Sequence, residues 1–144
     1  MINASGVIKV ERDRQRIVVE TSPDIIDYYH WHLSKKYWIL LQRPLHKAHI
    51  TITNPKFHKD VNWQRAVYYD GERVNFQYDP CVIQGGHTKG FIMFYLKVYS
   101  EVLDNMKKDL NIVENNGYRG LHITLANGKH GNVHPWWPKM ITIK

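Results

Sequence analysis

A chain of 144 residues, 43% hydrophobic and 12% aromatic, has the size and composition of one folded domain, far from the profile of a disordered chain, and is read as a single unit, 1–144. Its formal charge of +7 favours an anionic partner such as a nucleotide, nucleic acid or anionic surface. No apolar run approaches a membrane span and no basic-then-apolar leader opens the chain. The lone Cys81 excludes an internal disulfide and a zinc site with two or more thiolates, and it suits a reducing cytoplasm.

In chain order, the β-branched runs Val7–Val10 and Ile17–Glu20 predict two strands joined by a turn at Glu11 to Arg16. Ser22, Pro23 and Asp24 then announce a helix: a capping hydroxyl, a proline suited to the first turn, and an acid at the positive end of the dipole. Ile25, Tyr28, Tyr29, His32 and Leu33 recur at helical spacing up to Lys35-Lys36. Tyr37 to Leu41 fits helix or strand equally, and Pro44 ends whatever precedes it. Ala48 to Thr53 alternates as a strand, closed by Asn54-Pro55. Arg65–Asp70 and Arg73–Tyr78 flank Asp70-Gly71, which predicts a hairpin. Cys81–Ile83 precedes a Gly85-Gly86 turn, and Gly90–Tyr99 is strand-like. Ser100–Leu110 is amphipathic, with Val102, Leu103, Met106 and Leu110 on one face and Lys107, Lys108 and Asp109 outside it. Asn115-Asn116-Gly117 is a loop, Gly120–Ala126 a strand, Asn127 to His130 a loop, and Met140–Ile143 a short last strand.

The order helix, short connection, strand with His-Ile-Thr occurs twice. His49-Ile50-Thr51-Ile52 follows the first helix and His122-Ile123-Thr124-Leu125 follows the second, half a chain later. This spacing suggests a duplication or a pseudo-twofold arrangement. In a strand, residues two apart share a face. Each motif therefore sets an imidazole beside a hydroxyl, with aliphatic residues turned to a core behind them. Cleavage of a phosphodiester needs one group to take a proton from the attacking oxygen and another to give one to the leaving oxygen. Histidine can do either near neutrality, and two hydroxyls can donate to the non-bridging oxygens. One such motif alone is more often structural; its duplication in matching context makes coincidence the minority reading.

The pair His49-Ile50-Thr51-Ile52 and His122-Ile123-Thr124-Leu125 resembles the signature of the two-histidine phosphoesterase superfamily. That group includes 2′-5′ RNA ligase-like proteins, cyclic phosphodiesterases of RNA and nucleotides, and phage anti-CBASS nucleases that degrade cyclic oligonucleotide signals. The resemblance implies an α+β fold: a bilobal, pseudo-twofold domain in which two antiparallel sheets form a V-shaped groove, with helices packed outside. It implies His49 and His122 as the catalytic pair, Thr51 and Thr124 as phosphate-binding hydroxyls, and no metal or other cofactor. Where such proteins open 2′,3′-cyclic phosphates, the second histidine is usually the base and the first the acid. The compact chain fits a phage-encoded member, which would act in a host cytoplasm. The residues after each motif, Thr53-Asn54-Pro55 and Asn127 to His130, depart from the ligase-like branch and leave the substrate open.

Lys47, Lys56, Arg119 and Lys129 flank the motifs and are candidate phosphate contacts, weighed against solvated surface cations. Trp136, in the rigid stretch Pro135 to Pro138, is a candidate base-stacking residue, although packing against the core is the commoner use; Tyr28, Tyr29 and Trp31 invite the same idea. His30 and His32, two apart on a helix, diverge by about 200° and cannot share an ion. The spacing of His46, His58, His87, His130 and His134 asks for no metal. There is no membrane partner in this reading, and the oligomeric state is open. The alternative function is a basic RNA- or nucleotide-binding module without turnover.

Overall fold

A computed structural model describes residues 1–36, 42–44, 47–55, 58–88, 91–113, 120–129 and 140–142, with backbone alone at 36, 86–88, 91–92, 129 and 140–142. The strands are β1 (Ile2–Glu11), β2 (Arg16–Thr21), β3 (His49–Thr53), β4 (Arg73–Tyr78), β5 (Cys81–Thr88), β6 (Phe91–Tyr99), β7 (His122–Lys129) and β8 (Met140–Thr142). The helices are α1 (Pro23–Lys36), the single turn α2 (Trp63–Ala66) and α3 (Glu101–Asp109). The protein is therefore α+β. None of the described helices is long and apolar enough to cross a membrane.

All eight strands belong to one antiparallel sheet in the order β4-β1-β2-β3-β7-β6-β5-β8. A further pairing of Gln77 with Tyr99 and Tyr78 with Val98 joins β4 to β6, so six strands close into a barrel while β5 and β8 continue beyond β6. The expectation of two separate sheets thus takes a different form: two four-stranded halves share one sheet. They meet along β4–β6 and, between β3 and β7, at a single ladder pair, Ile50 opposite Ile123, which lies at the centre of the two His-Ile-Thr motifs.

Behind that seam, Ile50, Ile52, Ile123 and Leu125 are fully buried with Ile26, Tyr29 and Leu33 of α1, and with Leu103, Met106 and Leu110 of α3 and its end. Period-2 burial in the strands and helical spacing in α1 and α3 deliver those side chains to one core. Ser22 accepts from the Asp24 amide at 3.2 Å, as its capping role requires. Ser100 caps α3 by accepting from the Leu103 amide at 3.2 Å while donating to the Asn75 carbonyl at 2.9 Å, which ties α3 to β4.

Four local expectations are corrected. Residues 65–70 are not a strand: Asn62 accepts from the Arg65 amide and starts α2, which runs into a 3₁₀ turn at Val67–Tyr69. Arg65 and the Tyr69 hydroxyl both donate to Asp109, so tertiary bonds override the β-prone composition. Asp70 instead accepts from the Val10 amide at 2.8 Å, and β4 pairs with β1. Gly85-Gly86 lies inside β5, where a register shift against β6 absorbs it. β7 continues through Asn127-Gly128 because Phe91 to Phe94 offer a partner edge. On α3, Val102 is exposed and Lys107 is buried, the reverse of the expected faces. Residues 37–41, 115–117 and Ile143 lie outside the described residues.

Candidate active site

Because opposed residues in a ladder point the same way, the Ile50–Ile123 pair sends His49, Thr51, His122 and Thr124 together to the face away from the core. All four are half-buried, while their aliphatic neighbours are fully buried. The register set by that pair aligns His49 with Thr124 and Thr51 with His122. Each histidine thus has the other motif's threonine as its cross-strand neighbour. The two histidines stand on a diagonal, about 7–8 Å apart at the backbone in a regular ladder. A single ladder pair lets the strands diverge on either side of it.

Both imidazoles are held alike. Nδ1 of His49 lies 2.6 Å from the Lys47 carbonyl, and Nδ1 of His122 lies 2.9 Å from the Gly120 carbonyl. A carbonyl can only accept, so Nδ1 carries the proton in each ring, and a neutral ring presents Nε2 as its basic nitrogen. The contact is made two residues upstream both times, so the local geometry repeats as the motif does. Gly120 sits at φ 76, a left-handed conformation that glycine adopts without a Cβ penalty, and its carbonyl is the one that holds His122.

The neighbouring strands complete this face. On β6, Tyr95 opposes Thr124 and Lys97 opposes His122. The Tyr95 ring meets the His122 ring edge-on, with centroids 5.4 Å apart, and it lies over Gly85, where a Cβ would stand 3.4 Å from Cε1, in ordinary contact. The Thr124 hydroxyl donates to Met93 Sδ at 3.5 Å, a weak bond that a phosphate oxygen would better. On β2, Glu20 opposes His49 and Val18 opposes Thr51. Beyond them lies a pocket of about 170 Å³ lined by Lys9, Glu11, Arg14, Arg16, Val18, Glu20, Lys47 and His49.

Of the residues singled out in the sequence, His49, Thr51, His122, Thr124 and Lys47 come together here. Lys129 does not: it ends β7, seven residues from His122, about 20 Å along a strand. Lys56, Arg119 and Trp136 lie outside the described residues, as do His46, His130 and His134. Tyr29 is core, and Tyr28 and Trp31 are exposed on α1, which packs on the opposite side of the sheet. His58 is buried and its Nδ1 accepts from the Asn54 amide at 3.0 Å, closing the turn after β3. Sequence reasoning missed Tyr95, Lys97, Glu20, Lys9, Arg14 and Arg16. Tyr95 and Lys97 are two apart in a strand, but only the cross-strand register gives them a target.

Larger hollows lie elsewhere. One of about 670 Å³ is lined by Arg65, Tyr68, Tyr69 and Asp109 among others. Hydrogen bonds from Arg65 first, and from Tyr69 second, hold the Asp109 carboxyl below its ordinary range; this network joins α2 to α3. Among the described residues, no three His, Cys, Asp or Glu side chains gather as a metal site. Compared with known proteins, the chain matches no family model, no curated protein and no solved structure.

Proposed function

We propose that this chain is a metal-independent phosphodiesterase of the two-histidine type, acting on a ribose-linked phosphodiester: a 2′,3′-cyclic phosphate of RNA or nucleotide, or a cyclic oligonucleotide. One observation carries the reading. Two imidazoles from distant parts of the chain share one face across a two-strand seam, each tethered through Nδ1 to the carbonyl two residues before it. The proposal includes membership of the superfamily whose signature the motifs resemble, with the two halves of the sheet serving as the walls of a V-shaped groove. A reducing cytoplasm, a host's in the case of a phage-encoded protein, suits the single Cys81.

In this mechanism a phosphate sits over the seam. His122 Nε2 takes a proton from water as the water oxygen bonds to phosphorus. The phosphorus–oxygen bond to the ribose leaving group breaks, and His49, entering the step as the imidazolium, gives this oxygen its Nε2 proton while Nδ1–H stays on the Lys47 carbonyl. Thr51 and Thr124 donate to the non-bridging oxygens, and Lys97 adds a positive charge beside His122. The products are a phosphomonoester and a ribose hydroxyl; a cyclic oligonucleotide becomes linear, with its other diesters intact. Paired acid–base help is worth about 10²–10⁴-fold for each participating group.

The test is incubation with 2′,3′-cyclic mononucleotides and with cyclic di- and trinucleotides, in excess chelator. Cleavage of at least one is expected, with kcat reduced at least about 10²-fold by His49→Ala or His122→Ala while the fold is retained. If the wild type cleaves nothing while RNA binding persists in the double histidine variant, the chain is a binding module instead. Loss of activity with chelator, restored by a divalent ion, moves the chemistry to a metal.

A further inference from the structure

The pocket beside His49 has a composition that the two-histidine chemistry does not require. Four cations, Lys9, Arg14, Arg16 and Lys47, face two carboxylates, Glu11 and Glu20, over Val18 as an apolar floor that is 2% exposed. The carboxylates organise part of this set. Glu20 lies 3.4 Å from Lys9, and Glu11 lies 4.0 Å from Lys9 and 3.7 Å from Arg14. Among the described residues, Arg16 and Lys47 make no ion pair. An excess of two positive charges remains in the pocket.

Size and position narrow the occupant. Drug-sized ligands use hollows of about 300–1,000 Å³; a pocket of about 170 Å³ is on the scale of a phosphate group, too small for a nucleoside. The register runs Glu20 beside His49, Val18 beside Thr51, and Lys9 beside Val18. The pocket therefore continues the histidine face outward over β2 and β1, about 5–10 Å from β3. One additional nucleotide on the His49 side would lay its phosphate there. Arginines suit this role through their paired, planar donors.

We infer that this pocket is a second phosphate subsite, so that the substrate is an oligonucleotide, linear or cyclic, carrying at least one phosphate beyond the one cleaved. The inference rests on the phosphodiesterase reading above and narrows its substrate. A mononucleoside cyclic phosphate occupies the seam alone and leaves the four cations unused.

The experiment compares kcat/KM for three substrates: a mononucleoside 2′,3′-cyclic phosphate, a dinucleotide ending in the same cyclic phosphate, and a cyclic dinucleotide. Wild type is expected to favour one or both of the two-phosphate substrates, and the choice between them separates a linear from a cyclic source. Arg14→Gln/Arg16→Gln is expected to shrink that preference about tenfold or more, mainly through KM, with Lys47→Gln acting in the same direction. Arg12→Gln, on the same turn but outside the pocket, leaves the preference in place. Equal use of one- and two-phosphate substrates by wild type, or an unaltered preference in the arginine variant, overturns the subsite while the phosphodiesterase reading stands. If nothing is cleaved, that reading fails, and the subsite is decided by binding of the dinucleotide. About tenfold weaker affinity in Arg14→Gln/Arg16→Gln, with a salt slope smaller by about 0.7 per lost contact, supports it, and unchanged affinity overturns it.

Discussion

Thr53 is a buried hydroxyl at the end of β3, and replacing it with valine tests how the histidine strand is held. β2 and β3 fall out of step once: Ile17 pairs with Thr53, but Val18 pairs with Thr51, leaving Ile52 as an extra residue. Thr53 Oγ1 accepts from the Ile17 amide at 2.9 Å and donates to the Gln15 carbonyl at 3.3 Å. Valine keeps the shape and removes both bonds. The stranded Ile17 amide costs about 1–3 kcal/mol, offset by about 0.8 kcal/mol for the added buried methyl, for a net loss of about 0.2–2.2 kcal/mol. For a domain of this length that is a fall in Tm of about 1–8 °C. Urea unfolding should show a lower midpoint at constant slope, and exchange of the Ile17 amide should accelerate in Thr53→Val but not in Thr53→Ser. A valine variant as stable as wild type, with Ile17 still protected, refutes the claim that this hydroxyl pins the irregularity setting Glu20 beside His49.

Ser100→Ala removes both the α3 cap and the bond to the Asn75 carbonyl, and urea unfolding should register a loss of about 1–2 kcal/mol. Gly6→Ala should destabilise by at least about 1 kcal/mol, because its Cβ would stand 2.5 Å from the Glu20 carbonyl oxygen, which is backbone and cannot swing aside; thermal melts of the variant check this. Asp109 is held below the ordinary aspartate value of 3.8, by Arg65 first. A lowered folded value stabilises above the unfolded one, and that contribution is lost as pH falls below about 3.8 towards the folded value. Urea midpoints compared at pH 7 and pH 3 should therefore drop less in Asp109→Asn than in wild type.

The parts of the fold that were legible are those written in local period. His49 to Ile52 and His122 to Leu125 alternate so regularly that their facing residues, and the aliphatics behind them, follow from strand geometry alone. Helix α1 announced itself through Ser22 and its helical spacing, and α3 through an amphipathic spacing that held for Leu103, Met106 and Leu110 but not for Val102 and Lys107. What failed was punctuation read without its partners. Asp70-Gly71 looks like a hairpin turn, but Asp70 serves β1 and Asp109 recruits Arg65 and Tyr69. Gly85-Gly86 and Asn127-Gly128 look like turns, yet each continues a strand against β6, whose long edge supplies the pairing. Barrel closure depends on two pairs between β4 and β6, a non-local event with no sequence mark. The same holds for the site: its histidines and threonines are a motif, whereas Tyr95, Lys97 and the cations of β1 and β2 join it only through register.

Histidine-selective ¹⁵N NMR during titration with a nucleoside 2′- or 3′-phosphate, the two monoesters that opening a 2′,3′-cyclic phosphate can give, tests most directly whether both imidazoles serve one phosphate. The Nε2 signals of His49 and His122 should move together along one saturation curve with a single equivalent of nucleotide, while His58 and His30 stay still. Movement of only one of the two, or of each with a different affinity, would contradict a shared phosphate between them.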